Sequence, residues 1–592
     1  MSNNSRTATL FIALAALCGC FCPRAGAQSP AKLQTKPDRH NPLAHLNETA
    51  PKFGANMQRR LSASGANLFH LAKVLSDPTI MRSSNLAAAR PLHLASMAHV
   101  QANIDAMKSA PPPSANESNE TRGLVPVNDQ SLDYVLSRFA GFTQSETSSA
   151  WCGNTIVAGF NDSGADVRTG VAAEGGQSIS GVAVSHNRGR SFVGLPFLNP
   201  GPDQFNFLGG DPAVACSDSS HFLYASLFET ATVDGQGNAL PFSGIAVNIS
   251  QDGGITWSSP IPAVLTDARA QFVDKEWLAI DPTNSNNVYV TYTDFHIVGE
   301  DPTCVDGGQG SITLGLVTSK DGGVSWNPPV VIEKVCNPEF FQNLSGTQVV
   351  VGPKGQVYIA YASIMQDNIE IRMRTSLDGG KTLKPFTVVG DTFAATALGV
   401  DLQGGFRTNS FPMIAMDRSN GPSRGELFAV WTDGSRNQIQ DVASLFEGFY
   451  AFGDIVISSS SDGGNTWTTP SLVSPAPANF AGAGRDQFMA GVAVDPNGTL
   501  AVCYSDRRND PNNFLVDHYC SVSHDHGNTF EDIRETPFSW APTHTTDIVL
   551  NPVYMGDYDA VSSDFTGKHA GLFSTFQVQT NTNPDVFGMI VH

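Results

Sequence analysis

Acids, arginines and tyrosines recur in this chain at two kinds of place, just before and just after paired runs of apolar residues. Before such runs stand Asp274-Lys275-Glu276, Arg407, Arg485-Asp486, and Tyr554 with Asp557 and Tyr558. After them stand Asn161-Asp162, Glu229, Asp294, Asp433 with Arg436, and Ser505-Asp506-Arg507-Arg508. A guanidinium fork matches the two oxygens of a carboxylate. A carboxyl group moves protons. Acids, arginines and tyrosines that converge in one depression are the usual composition of a carbohydrate site. Left in solvated loops, or paired between neighbouring elements, the same residues would be plain surface charge or bracing. What decides is whether the fold gathers them. Other chemistries lack their signatures: there is no P-loop, no GxSxG, no HExxH and no GxGxxG opening a helix.

The elements that must do the gathering are legible as repeats. A pair of apolar strands joined by a turn occurs seven times, for example in EWLAIDPTNSNNVYVTYTD and FMAGVAVDPNGTLAVCYSDRR. A second phrase, Ser-x-Asp-x-Gly-x-Thr-Trp, follows six of them, at Ser185, Ser250, Ser319, Ser376, Ser460 and Ser523, with Asn187 replacing Asp in the first copy. The Asp side chain can bond backbone N–H groups downstream, and glycine supplies the positive φ of a tight turn. Copies spaced 57 to 84 residues apart mean one supersecondary unit repeated, and such units must close into a ring to bury their faces. The expected fold is an all-β, seven-bladed β-propeller over residues 123–592, with six blades the alternative. The last strand pair has only three strands before the chain ends, and Leu132–Ala140 is the candidate to supply the missing outer strand.

The repeated phrase resembles the Asp box, or BNR repeat, of the sialidase-like β-propeller superfamily. The strand phrases DKEWLAIDP and AVDPNGTLAVCYSDRRND look like the secreted bacterial members of that set. The resemblance implies that the boxes lie between third and outermost strands, away from the active face. It further implies a Tyr nucleophile activated by a Glu, an Asp acid/base, and three arginines that clamp a carboxylate. By position, Tyr558 (or Tyr554) suits the tyrosine, Glu276 the glutamate and Asp162 the aspartate. Arg407 and Arg485 suit the second and third arginines, with Arg508 and Asp274 completing the substrate-binding set. The Phe/Tyr-Arg-Ile-Pro motif for the first arginine is absent; Arg138-Phe139 is the nearest match. The functions implied are a secreted glycoside hydrolase acting on an extracellular glycan or, alternatively, a non-catalytic propeller binding a glycan or protein at the cell surface.

Residues 10–19 (LFIALAALCG) after Arg6, with Ala25-Gly26-Ala27 before Gln28, read as a signal peptide over 1–27. Leu17-Cys18-Gly19-Cys20 offers a lipoprotein alternative anchored through Cys20. No other apolar run is long enough to span a membrane. Residues 28–122 read as a weakly ordered pro-region or linker, partly helical, ending in a Pro-rich stretch at 111–113. Residues 1–110 carry 12 of the 35 Lys and Arg and 4 of the 55 Asp and Glu, so the rest holds 23 basic against 51 acidic side chains. Such a domain repels nucleic acid. No cofactor is expected, although the composition leaves room for a calcium ion on the axis or in a loop. Six cysteines remain after cleavage, and an even count in an exported chain suggests disulfides. Strand ends of adjacent blades would pair Cys152 with Cys216. A hairpin centred near residues 511 and 512 would place Cys503 opposite Cys520, leaving Cys304 for Cys336.

Overall fold

In the computed structural model, the Ser-x-Asp phrases close the third strands of six antiparallel blades. The structure describes residues 43, 45–47, 61, 63–76 and 83–110. Of 123–591 it describes all but 137–138, 173–174, 235–238, 305–308, 339–341, 366–367, 393–400, 403–405, 435–452, 475–483, 543–546, 548–554 and 581–582. The proposed leader and the Pro-rich stretch fall outside the described residues.

Each phrase folds alike. In the fifth copy Ser460 Oγ accepts the Gly464 N–H (2.9 Å) and donates to Asp462 Oδ1 (2.9 Å). Asp462 in turn accepts the N–H and hydroxyl of Thr466 (2.9 and 2.6 Å). Gly463 and Gly464 take φ of 73° and 79°, values that a side chain would strain. The first copy keeps the design with Asn187, whose Oδ1 accepts the Ser191 N–H (3.0 Å).

Seven blades form the ring. Their inner strands are Gln144–Cys152, Ala213–Cys216, Gln271–Ile280, Asn343–Val351, Met413–Met416, Gln487–Val494 and Ala560–Ser563, blades one to seven in that order. Each inner strand packs on the next, and that of blade seven on that of blade one. Second strands such as Leu427–Asp433 and Leu500–Asp506 are buried along their whole length, because each blade is covered on both faces by neighbours.

Blade seven takes its outer strand from the other end of the domain, as expected, but from a different segment. Val125–Pro126 pairs with Asn583–Val591 (Val125↔Gly588, Pro126↔Phe587). Leu132–Ala140 does not do this: Tyr134–Leu136 and Phe139–Gly141 pair with each other. Proline has no N–H to offer a further strand, so Pro126 suits a sheet edge. The join is tightened by Asn128, whose side chain donates to Asp585 Oδ1 (3.0 Å) and accepts the Val586 N–H (2.8 Å).

The three disulfides pair as the strands require: Cys152–Cys216 joins blades one and two, Cys304–Cys336 lies in blade three, and Cys503–Cys520 links directly opposed residues of blade six.

Among the described residues, helices α1 (Ala63–Leu75), α2 (Ser83–Ser109) and α3 (Ser163–Ala172) accompany the ring. The all-strand texture after residue 141 hides α3, which is short and starts where Asp162 Oδ1 accepts the Gly164 N–H (2.9 Å). Val100 and Ile104 of α2 pack with Leu132, Leu195 and Leu198 beside blade one. No helix among the described residues is long and apolar enough to cross a membrane.

The turn geometry carries a prediction. Asp462→Ala should lower stability by about 1 kcal/mol, since this exposed turn loses its side-chain acceptor. The Thr466 hydroxyl and N–H hold the Asp462 carboxyl down to about 2. Its contribution is thus complete above the unfolded value of about 3.9 and is lost as pH falls towards 2. Thermal melts should show the deficit at neutral pH and convergence with wild type in strong acid. An equal deficit at both would contradict the assignment.

Candidate active site

One backbone device builds the axial site. In four blades a bulge near the start of the inner strand sets two residues against one of the second strand: Glu146-Thr147, Lys275-Glu276, Gly346-Thr347 and Met489-Ala490. The first of each pair has positive φ (50°, 55°, 67° and 56°). Asp211 (φ 54°) and Gly556 (φ 84°) occupy the corresponding turns leading into blades two and seven. Left-handed backbone at non-glycine residues is costly and tends to mark functional positions. Here it points the heads of several inner strands at the axis.

The side chains so delivered are mostly carboxyl groups. Glu146, Asp211, Asp274, Glu276 and Asp557 are buried, with Lys275 and Tyr558 among them. Lys275 Nζ lies 3.3 Å from the centre of the Tyr558 ring, a cation–π contact. Trp277 meets the same ring edge-on at 5.9 Å. The Tyr558 hydroxyl donates across to the Pro212 carbonyl (3.3 Å). Asn161 Nδ2 donates to Glu146 Oε2 (2.6 Å), and its Oδ1 accepts the Asp211 N–H (2.9 Å). That one amide therefore fixes two of the acids.

Among the described residues one ammonium, that of Lys275, stands with these five buried carboxyl groups. Burial, then the facing Asp211 and Asp557, push Glu146 well above the usual carboxylate range. Burial, then Asp211, do the same to Glu276. Neither oxygen of Glu276 receives a hydrogen bond from another of the described residues. Both glutamates are thereby neutral acids at pH values where an exposed glutamate is ionised.

The residues singled out in the sequence divide clearly. Tyr558, Glu276 and Asp274 come together at the axis. Asp162 instead forms a buried ion pair with Arg168 and accepts from Gln144 Nε2 (3.2 Å). Arg485 donates to the carbonyls of Gly484, Asp510 and Pro511 (2.5, 3.1 and 3.0 Å). Arg508 is clamped between Asp506 and Asp532 and stacks over Tyr519 at 4.3 Å. The backbone of Arg407 pairs with Asp401 in a two-residue strand; its side chain, Tyr554 and Arg436 lie outside the described residues. Glu146 and Asp211 were not singled out, and Lys275 and Asp557 were given no role. Their signal was the alignment of strand heads: Ser145-Glu146-Thr147, Gly210-Asp211-Pro212 and Asp274-Lys275-Glu276 are one position in the repeat, and Gly556-Asp557 stands two residues earlier in its own.

A cavity of ≈ 490 Å³ runs along the axis, lined by inner strands of all seven blades. It reaches the turns at Thr283, Pro353, Asn420, Pro496 and Thr566, on the face opposite the acids, and none of Glu146, Asp211, Glu276, Asp557 or Tyr558 lines it. Among the described residues, the close grouping of metal-ligand types is Cys503, Cys520 and Glu535, and there the two sulfurs are bonded to each other.

Fold and site together define a seven-bladed propeller with an acid-rich axial site. No family model matches the chain, and no curated protein matches it. Among solved structures it is similar to a Hadza microbial sialidase (15% identity, TM-score 0.37, 64% of this chain and 65% of that one). It is also similar to the Trypanosoma rangeli sialidase (14%, TM-score 0.38, 79% and 57%) and to an α-L-arabinofuranosidase from Fusarium graminearum (14%, TM-score 0.37, 65% and 93%). The chain thus spans less than two thirds of the length of either sialidase. At these values the likeness bears on no residue of the site.

Glu276→Gln tests the neutral acid. A carboxyl whose folded value is raised costs stability as pH climbs from the unfolded value of about 4.3 towards the folded one. The variant should therefore match wild type in acid and melt at a higher temperature above neutrality. A variant less stable at every pH would show that Glu276 is ionised and paired.

Proposed function

We propose that the protein is a secreted glycoside hydrolase acting on an extracellular glycan at the face that carries the axial acids, the entry face, where the chain enters each inner strand. Its chemistry rests on the axial carboxyl groups. The observation that carries this reading is Glu276: buried, its carboxyl pushed above the usual range by burial and then by Asp211, and next in the chain to Lys275, which lies over the Tyr558 ring. A neutral carboxylic acid close to an ionised one is the arrangement that protonates a leaving glycosidic oxygen. Glu276 is assigned as proton donor, with the other carboxyl groups of the axial set lining the place where an oxocarbenium-like centre would form. The three disulfides support an oxidising compartment.

The sugar is best read as uncharged. Arg485 and Arg508 spend their guanidinium groups on carbonyls and aspartates. Among the described residues the axial set carries one ammonium with five acids, which disfavours a sialic acid carboxylate there. A second reading, a non-catalytic propeller that binds a glycan or surface protein, is favoured by the Tyr558 hydroxyl, which donates to a carbonyl instead of standing free.

A panel of fluorogenic glycosides that includes a sialoside, run beside a glycan array, separates these. The expected result is turnover of an uncharged glycoside, with kcat lowered roughly 10²–10⁴-fold in Glu276→Gln and KM little changed. Array binding without turnover would replace the hydrolase by the binding propeller. Sialoside turnover would overturn the reading of the arginines.

A further inference from the structure

The segment that ends in α1 lies against the heads of blades two and three, on the face that carries the acids. Leu61, Leu68, Phe69, Leu71 and Ala72, together with Leu43 and Leu46, are buried in one cluster with Phe207, Leu227 and Phe272 of the propeller. Phe69 packs on Phe272 with ring centres 5.3 Å apart. Contact is closest beside the site. A methyl group placed on Gly65 would stand 2.8 Å from Asp274 Oδ1, and one placed on Gly209 would stand 2.9 Å from Leu68 Cδ1. Asp274 adjoins Lys275 and Glu276; Gly209 leads into Asp211. Further round, His45 Nε2 meets the buried Glu229 carboxylate at 2.9 Å.

These contacts differ from those of a spacer. The helix has glycine where a side chain would strike the Asp274 carboxylate. Its apolar face covers the sector through which Asp211 and Glu276 would be reached. We propose that α1, with Leu43, Leu46 and Leu61 beside it, is an intramolecular block on the acid site, and that a glycan reaches Glu276 when α1 leaves blades two and three. So many buried apolar side chains make spontaneous release rare, which suits removal by proteolysis better than rapid breathing. The proposal rests on reading the entry face as the functional site.

The test measures access directly, on the full chain. Carboxyl groups are labelled with a water-soluble carbodiimide and glycine ethyl ester and read by peptide mass spectrometry, beside hydrogen exchange. Two variants release α1 differently. Leu68→Asp puts a charge into the cluster, and Gly65→Leu wedges the helix off Asp274 while leaving its apolar residues intact. In both, Glu276 and Asp211 should label about tenfold faster or more than in wild type, while the Ser-x-Asp strands keep their exchange protection. Unchanged labelling in a variant whose α1 amides exchange freely would overturn the proposal. So would loss of protection throughout the ring in both variants, which would make α1 part of the folded core. The glycoside panel is run on the same samples. Faster labelling with turnover supports both readings; faster labelling without it keeps the block and removes the hydrolase.

Discussion

Five buried carboxyl groups, with Lys275 the ammonium that the described residues set among them, constrain the rest of this molecule. Ionised carboxylates cannot all stay buried near one another: desolvation and mutual repulsion each favour protonation. The protein meets this by fixing the acids with few, specific contacts. Asn161 holds Glu146 and Asp211 through one amide, and Lys275 sits on the Tyr558 ring. A ring of blades is what makes such a cluster attainable. Each strand head contributes only one or two residues, yet seven of them meet on a single axis.

The architecture was legible in the sequence because its signals are local. Each Ser-x-Asp phrase contains its whole turn, donors and acceptors within seven residues, so Ser460, Asp462, Gly464 and Thr466 could be read without knowing what surrounds them. The Cys503–Cys520 bridge followed from the same hairpin logic. Ring closure was legible in kind but not in detail. Leu132–Ala140 looks more strand-like than Val125–Pro126, yet the shorter segment wins because Pro126 needs no partner on its outer side and Asn128 locks the pair to Asp585.

The site was less legible, for a physical reason. An arginine before a strand reads alike whether it faces a ligand or a backbone carbonyl. Arg485 and Arg508 are consumed within their own blade by contacts that depend on loop shape. The acids were hidden differently. Glu146 and Asp211 lie outside any motif, and only the shared left-handed turn, with Glu146 at φ 50° and Asp211 at 54°, shows that they belong with Lys275. The packing of Leu68 and Phe69 on the same face was equally unreadable. An Ala- and Leu-rich helix gives no sign of which surface it will cover, and that surface is assembled from two blades.

The account stands or falls on the protonation of the axial acids. Isotope-edited infrared spectroscopy reports it directly, through the carbonyl stretch that a neutral carboxylic acid has and a carboxylate lacks. At neutral pH the wild-type protein should show this band, shifted towards the range of acids in apolar surroundings, and part of it should vanish in Glu276→Gln and in Glu146→Gln. A wild-type spectrum with carboxylate bands alone would mean that the cluster is ionised, and the assignment of Glu276 as a proton donor would be wrong.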